Sequence, residues 1–238
     1  PARADAPPPA PFHPLASVGL WIGMMAASQG ALLAVTRAVP SAVEGPSVTW
    51  PWAFGITAAT TVAVGIVVAV ALRRARRAQG RTAWPAGAAL ALGGKGWLVA
   101  TAITIPATLV WVAILSAFDN APQVQELVAR AVEADASRAF LVALGVLGIV
   151  VAPVTEELLF RGAMFGSMRA RLGSRAAALI SSLIFAAVHQ SLTALVPLLV
   201  LALVLCWVYE RSGSLVAPIV VHMLNNASSL LPLFLVHL

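Results

Sequence analysis

The sequence predicts an all-α protein, a polytopic transmembrane helix bundle of about seven to eight spans, with its out-of-place polar residues gathered in the last four helices. Three observations predict it. Hydrophobic residues make up 60% of the chain and charged residues 10%, with a mean hydropathy of +0.92; a soluble domain is nearer a quarter charged. The apolar runs are continuous rather than alternating, which excludes an outer-membrane barrel. The basic residues sit in short segments between those runs, where they orient helices in a bilayer. The net charge of +6 and the pI near 11.2 therefore point to the lipid bilayer as partner and not to nucleic acid.

The elements follow in order. Residues 1–14 hold prolines at 7, 8, 9, 11 and 14 and read as a disordered tail. No short hydrophobic core with a small-residue cleavage site is found, so a cleaved signal peptide is not expected. A first span runs from Leu15 to Val39, with Gly19, Gly23, Ala26, Ala27 and Gly30 suited to close helix packing. Residues 40–51 form a Pro-containing loop, and Trp50 and Trp52 fit an interfacial belt. The second span, Trp52 to Leu72, ends at the basic run Arg73, Arg74, Arg76, Arg77. Residues 78–95 read as a Gly-rich loop with a partly embedded piece from Trp84 to Leu92, and the third span as Gly96 to Phe118 with a kink at Pro106. Val124, Leu127, Val128, Ala131 and Val132 are spaced as the apolar face of a surface helix within a polar segment, 119–138. A fourth run starts near Ala139. Three more follow, Ala176–Leu195, Val196–Tyr209 and Leu215–Leu238. The domain division is thus a tail (1–14), N-terminal helices with the surface segment (15–138), and a C-terminal bundle (139–238).

With the Arg73 loop inside, the inner segments carry Arg3, Lys95, Arg161 and the arginines of 73–81, 169–175 and 211, twelve in all, against Arg37, Arg130 and Arg138 outside. That bias places the N-terminus in the cytoplasm. The single Cys206 lies in an apolar run and reads as a small core residue.

Within the fourth run lies Thr155-Glu156-Glu157-Leu158-Leu159-Phe160-Arg161-Gly162. Charge in a bilayer is costly, and by default it marks a site; the structural alternative is an ion pair that locks helices together. Glu157 and Arg161 are at i,i+4 and can pair. Glu156 is rotated about 100° away and is assigned to the open site. If the helix continues to Leu172 and turns at Gly173, bending at Pro153, Gly162 or Gly166, then Glu156 and His189 each lie about 21–23 Å from the turn at 1.5 Å per residue. His222 and Asn226 share a face of the last span. Phe185 lies one turn before His189. Three helices can therefore bring a carboxylate, two imidazoles and an amide together. A lone His or Asn more often glues membrane helices, and Asn225 and His237 are read that way; the joint pattern at matched depth is harder to explain by packing.

The three pieces Glu156-Glu157-x-x-x-Arg161, Phe185-x-x-x-His189 and His222-x-x-x-Asn226 resemble the motifs of the CAAX prenyl protease and bacteriocin-processing (CPBP, or Abi) family over residues 139–238. The resemblance implies hydrolysis of a peptide bond inside the membrane, with the C-terminal four helices as catalytic core and a type II CAAX prenyl endopeptidase-like activity. It implies that Glu156 is the general base, that His189 helps hold the attacking water, that His222 and Asn226 stabilise the oxyanion, and that Glu157 and Arg161 hold the first motif. A buried carboxylate and fixed hydrogen-bond donors in a low-dielectric site suit this chemistry.

Whether a cofactor takes part is open at this stage. Glu156, His189 and His222 are a conceivable Zn²⁺ set, but no His-Glu-x-x-His occurs and metal-free water activation is favoured. The implied substrate is a peptide or membrane protein, a prenylated C-terminal peptide among the candidates. The Ala/Arg-rich composition suggests the membrane of a bacterial cell. Two other readings remain: a non-enzymatic immunity or scaffold protein of the same family, and a small transporter, which the lack of an internal repeat disfavours. Oligomeric state is not legible in the sequence.

Overall fold

The computed structural model describes positions 13, 15, 16, 19, 20, 22, 23 and 26 and residues 46–78, 86–119 and 138–237. The Pro-rich tail, nearly all of the expected first span and the amphipathic segment at 124–132 lie outside the described residues. Among the described residues all regular structure is helical.

Helix α1 spans Pro46–Ala78 and α2 spans Ala86–Ala117. A continuous helix then runs from 138 to 172 in five pieces: α3 (Arg138–Gly145), a first π-helical segment (Val146–Val151), α4 (Ala152–Glu157), a second π-helical segment (Leu158–Phe165) and α5 (Gly166–Leu172). It is called the motif helix below. Gly173 (φ 78°) makes the turn into α6, Ser174–Ala187. Helix α7 spans Leu192–Ser212, Gly213 (φ 63°) caps it, and α8 spans Val216–His237. Both glycines occupy the left-handed region that other residues adopt at a cost. Among the described residues three stretches, Gly87–Ala117, Leu141–Leu172 and Leu192–Ser212, are long and apolar enough to cross a membrane, and the chain is an integral membrane protein.

Two expected boundaries are corrected. The segment 78–95 is not a loop to its end, because α2 starts at Ala86 and includes Lys95. Its glycines permit close approach: a Cβ at Gly93 would lie 2.7 Å from Val220, and one at Gly96 would lie 2.8 and 2.9 Å from Val208 and Val221. Packing against α7 and α8 thus offsets the weak helix propensity of glycine. The break expected between Leu195 and Val196 falls at 188–191 instead. Gln190 turns the chain with φ 51°, and the Ser191 hydroxyl accepts from the Ala194 N–H to cap α7.

The motif helix lies between α1 and α8. It runs parallel to α1: the Thr155 hydroxyl donates to Thr61 O at 3.4 Å, and further along Gly162 abuts Leu72. It runs antiparallel to α8, with Gly145 against Phe234, Gly148 against Leu230 and Gly162 against Leu215. Leu72 and Leu215 therefore meet at Gly162, which gathers Arg73, Arg74, Arg169, Arg171 and Arg211 toward one end of the bundle. At that end Glu210 takes Arg169 at 3.6 Å and the Ser174 hydroxyl. The core beside the motif joins Val68, Phe160, Phe165, Phe185 and Cys206. Cys206 is buried, with its Sγ 3.7 and 3.8 Å from the Ser181 and Ser182 hydroxyls.

Candidate active site

The site starts from a backbone irregularity. Pro153 sits in the first turn of α4, has no N–H to give, and would crowd the carbonyl one α-turn earlier. The turn before it is π-helical, a widening found frequently at functional sites. The helix then carries Glu156 and Glu157 on neighbouring faces. Glu157 is fully buried, whereas Glu156 is 27% exposed.

Glu157 holds two partners on one oxygen. Its Oε1 accepts from Arg161 Nη1 at 2.8 Å and lies 2.9 Å from His222 Nδ1. The Arg161 pair is the one the i,i+4 spacing predicts. The His222 contact was not predicted, and spacing within one helix gives no signal for a bond between α4 and α8. An ionised carboxylate only accepts, so His222 carries its proton on Nδ1. The opposite nitrogen, Nε2, then faces Glu156 Oε2 at 3.8 Å, beyond direct hydrogen bonding but within reach of a shared water. A neutral His222 fixed in this way offers Nε2 as an acceptor, and it donates from that nitrogen only after gaining a proton.

Arg161 is 1% exposed. Besides Glu157 it donates from Nη2 to Ala202 O at 3.3 Å, and its guanidinium lies 4.6 Å over the Phe185 ring. Phe185 also meets Phe160 edge-on at 5.0 Å, the His189 ring at 4.8 Å and the His222 ring at 5.8 Å. The conspicuous Phe185 is therefore the spacer that touches both imidazoles and the arginine. His189 lies in the turn just after α6. Its Nδ1 donates to Phe185 O at 2.7 Å, which leaves Nε2 as an acceptor. Among the described residues no hydrogen bond joins His189 directly to Glu156 or His222.

Asn226, one turn after His222, donates from Nδ2 to Gly148 O at 2.9 Å. Its Oδ1 accepts from Asn225 Nδ2 at 3.5 Å. One N–H of its amide is thus already used on backbone. Three buried polar atoms of the motif have no hydrogen-bond partner: Glu156 Oε2, Glu157 Oε2 and Arg161 Nε. Among the described residues no three His, Cys, Asp or Glu side chains are placed to hold a metal ion. Each imidazole is held through Nδ1 and keeps Nε2 free, as a metal-ligating histidine does, but Glu156, His189 and His222 are not grouped closely enough in this arrangement to share an ion.

Comparison with known proteins agrees with the three motifs. Residues 138–228 match the family described as type II CAAX prenyl endopeptidase Rce1-like. The chain is similar to the UPF0177 protein YxdF of Lactococcus lactis, 41% identical over 78 residues, 32% of this chain and 42% of that protein. It is similar to the "Putative membrane peptidase YdiL" of Bacillus subtilis, 31% identical over 81 residues, 34% of this chain and 33% of that protein. An uncharacterized Escherichia coli protein is 40% identical over 83 residues, 31% of this chain and 36% of its own length. The chain spans less than half the length of each of these curated relatives. No solved structure matches it. The three motifs fall inside the matched stretch, so residues 138–228 are similar to the family described as type II CAAX prenyl endopeptidase Rce1-like.

Proposed function

We propose that this protein is an intramembrane endopeptidase that hydrolyses a peptide bond with a water activated by Glu156. One observation carries the reading: Glu156 is the partly exposed carboxylate of the motif, and its unpartnered Oε2 faces His222 Nε2 across 3.8 Å. Its neighbours Glu157 and Arg161 are committed to each other and to the surrounding helices.

In this reading the water sits between Glu156 and the bare Nε2 of His222, with His189 Nε2 as a further acceptor. Glu156 takes a proton as the water oxygen attacks the carbonyl carbon. The tetrahedral oxyanion is met by the second N–H of the Asn226 amide and by His222, whose Nε2 receives from Glu156 the proton taken from the water. Collapse breaks the C–N bond, and the proton leaves on the amine. Glu157 keeps His222 in the productive tautomer, as a buried carboxylate does for histidine in hydrolases of other folds. The substrate class is a peptide or membrane protein that reaches a site between helices, and a prenylated C-terminal peptide is the first to try given the family. The gathering of basic residues at one end supports a cytoplasmic placement of that end, and about seven to eight spans would follow from the apolar runs.

The test is trapping followed by cleavage. Glu156→Gln protein, purified in detergent, should retain a peptide or protein that wild type cleaves, identified by mass spectrometry and then supplied to both. Wild type that binds this molecule without cutting it would favour the non-enzymatic reading of the same pocket.

A further inference from the structure

The carbonyl of Gly148 has lost both of its ordinary backbone donors. In an α-turn it would accept from the N–H of Ala152, but that N–H donates to Leu147 O. In a π-turn it would accept from residue 153, which is proline and has no N–H. A half-buried carbonyl among membrane helices still needs a donor. Asn226 Nδ2, from α8, supplies it at 2.9 Å. Asn225 approaches the Asn226 oxygen from the other side, so the amide has one favoured orientation, with nitrogen toward the motif helix.

The packing around this bond is correspondingly tight. A Cβ at Gly148 would lie 3.2 Å from Leu230, and one at Gly145 would lie 3.0 Å from Phe234. Asn226, Leu230 and Phe234 recur every four residues and form one stripe of α8. The stripe seats on α3 and the widened turn, and His222 continues it toward Glu156 and Glu157.

We infer that Pro153 is a positioning residue: by denying Gly148 a backbone donor it makes that carbonyl the anchor that orients the Asn226 amide and sets α8 against the two glutamates. Asn226 then has two roles carried by two different N–H groups, one fixed on Gly148 O and one free for substrate. The second role rests on the peptidase reading; the first does not.

A double-mutant comparison separates them. Wild type, Pro153→Ala, Asn226→Ala and the double variant are purified in the same detergent and their Tm values measured. Asn226→Ala in the wild-type background leaves the half-buried Gly148 carbonyl without a donor and should lower Tm by about 2–10 °C. In the Pro153→Ala background residue 153 has an N–H that can close onto Gly148 O, so the same substitution should cost less than half as much. Equal losses in the two backgrounds overturn the anchor. If Asn226→Ala does not fold, Asn226→Ser, which keeps a short donor, enters the same comparison with the same criterion. The activity arm uses a peptide that wild type cleaves: Pro153→Ala should reduce kcat at least tenfold with KM within twofold, while a merely structural proline would leave kcat in place once the protein is folded. A wild type that cleaves no peptide would count against the peptidase reading and leave the Tm comparison to decide the anchor.

Discussion

Helix α2 and the Leu141–Leu172 stretch of the motif helix are both 32 residues long and both apolar enough to cross a membrane. Each contains an internal proline, Pro106 in one and Pro153 in the other. Around Pro106 the chain stays α-helical and turns Ile103, Ile105, Leu109 and Val110 outward, as suits a lipid-facing wall. The motif helix widens into π-turns on both sides of its glutamates and buries nearly every side chain from Leu159 to Met168. The same local defect is idle where it faces lipid and becomes a handle where a polar side chain of a neighbouring helix can reach it.

The comparison can be tested from the top down. Glu156→Gln should reduce peptide cleavage by about 10²–10⁴-fold with Tm unchanged within a few degrees; residual activity above a tenth of wild type would remove Glu156 from the chemistry. Arg161→Met should do the reverse kind of damage. It leaves Glu157 buried without its cation and costs about 3–5 kcal/mol of stability, read as a loss of folded protein in a thermal or denaturant series. On the face of α2 packed against α7 and α8, Gly96→Ala drives a methyl against Val208 and Val221 and should destabilise by about 1–3 kcal/mol. Two residues earlier, a Cβ at Gly94 meets nothing, so Gly94→Ala should be neutral or gain up to about 1 kcal/mol. The smallest effect belongs to Pro106→Ala, for which kcat should stay within twofold of wild type. A large kcat loss there would mean that the two prolines do not differ as described.

Much of the site was legible because it rests on local geometry. The helical class follows from continuous apolar runs. Glu157 and Arg161 pair because they lie one turn apart, Glu156 turns away because it is one residue off that face, and the helix ends at Leu172 because Gly173 follows. What was not legible depends on contacts between helices. The Glu157 bond to His222 joins residues 65 apart in the chain. The role of Phe185 as a platform for Arg161 depends on where α6 crosses the motif helix. The π-turns shift the helical register, so a reading at 100° per residue loses track of which face follows. The tautomer of His222 was not legible for a related reason: it is set by a partner that no motif spacing reveals. The break at 188–191 was misplaced because the apolar run hides a cap that consists of one serine.

The placement of Cys206 has a practical consequence. It is the chain's single thiol, 2% exposed and enclosed between α6 and α7 beside Ser181 and Ser182. Maleimide and spin-label reagents should find almost no background on the folded protein, so cysteines introduced one at a time along α8 and the motif helix can report distances and solvent access without first removing the native sulfur.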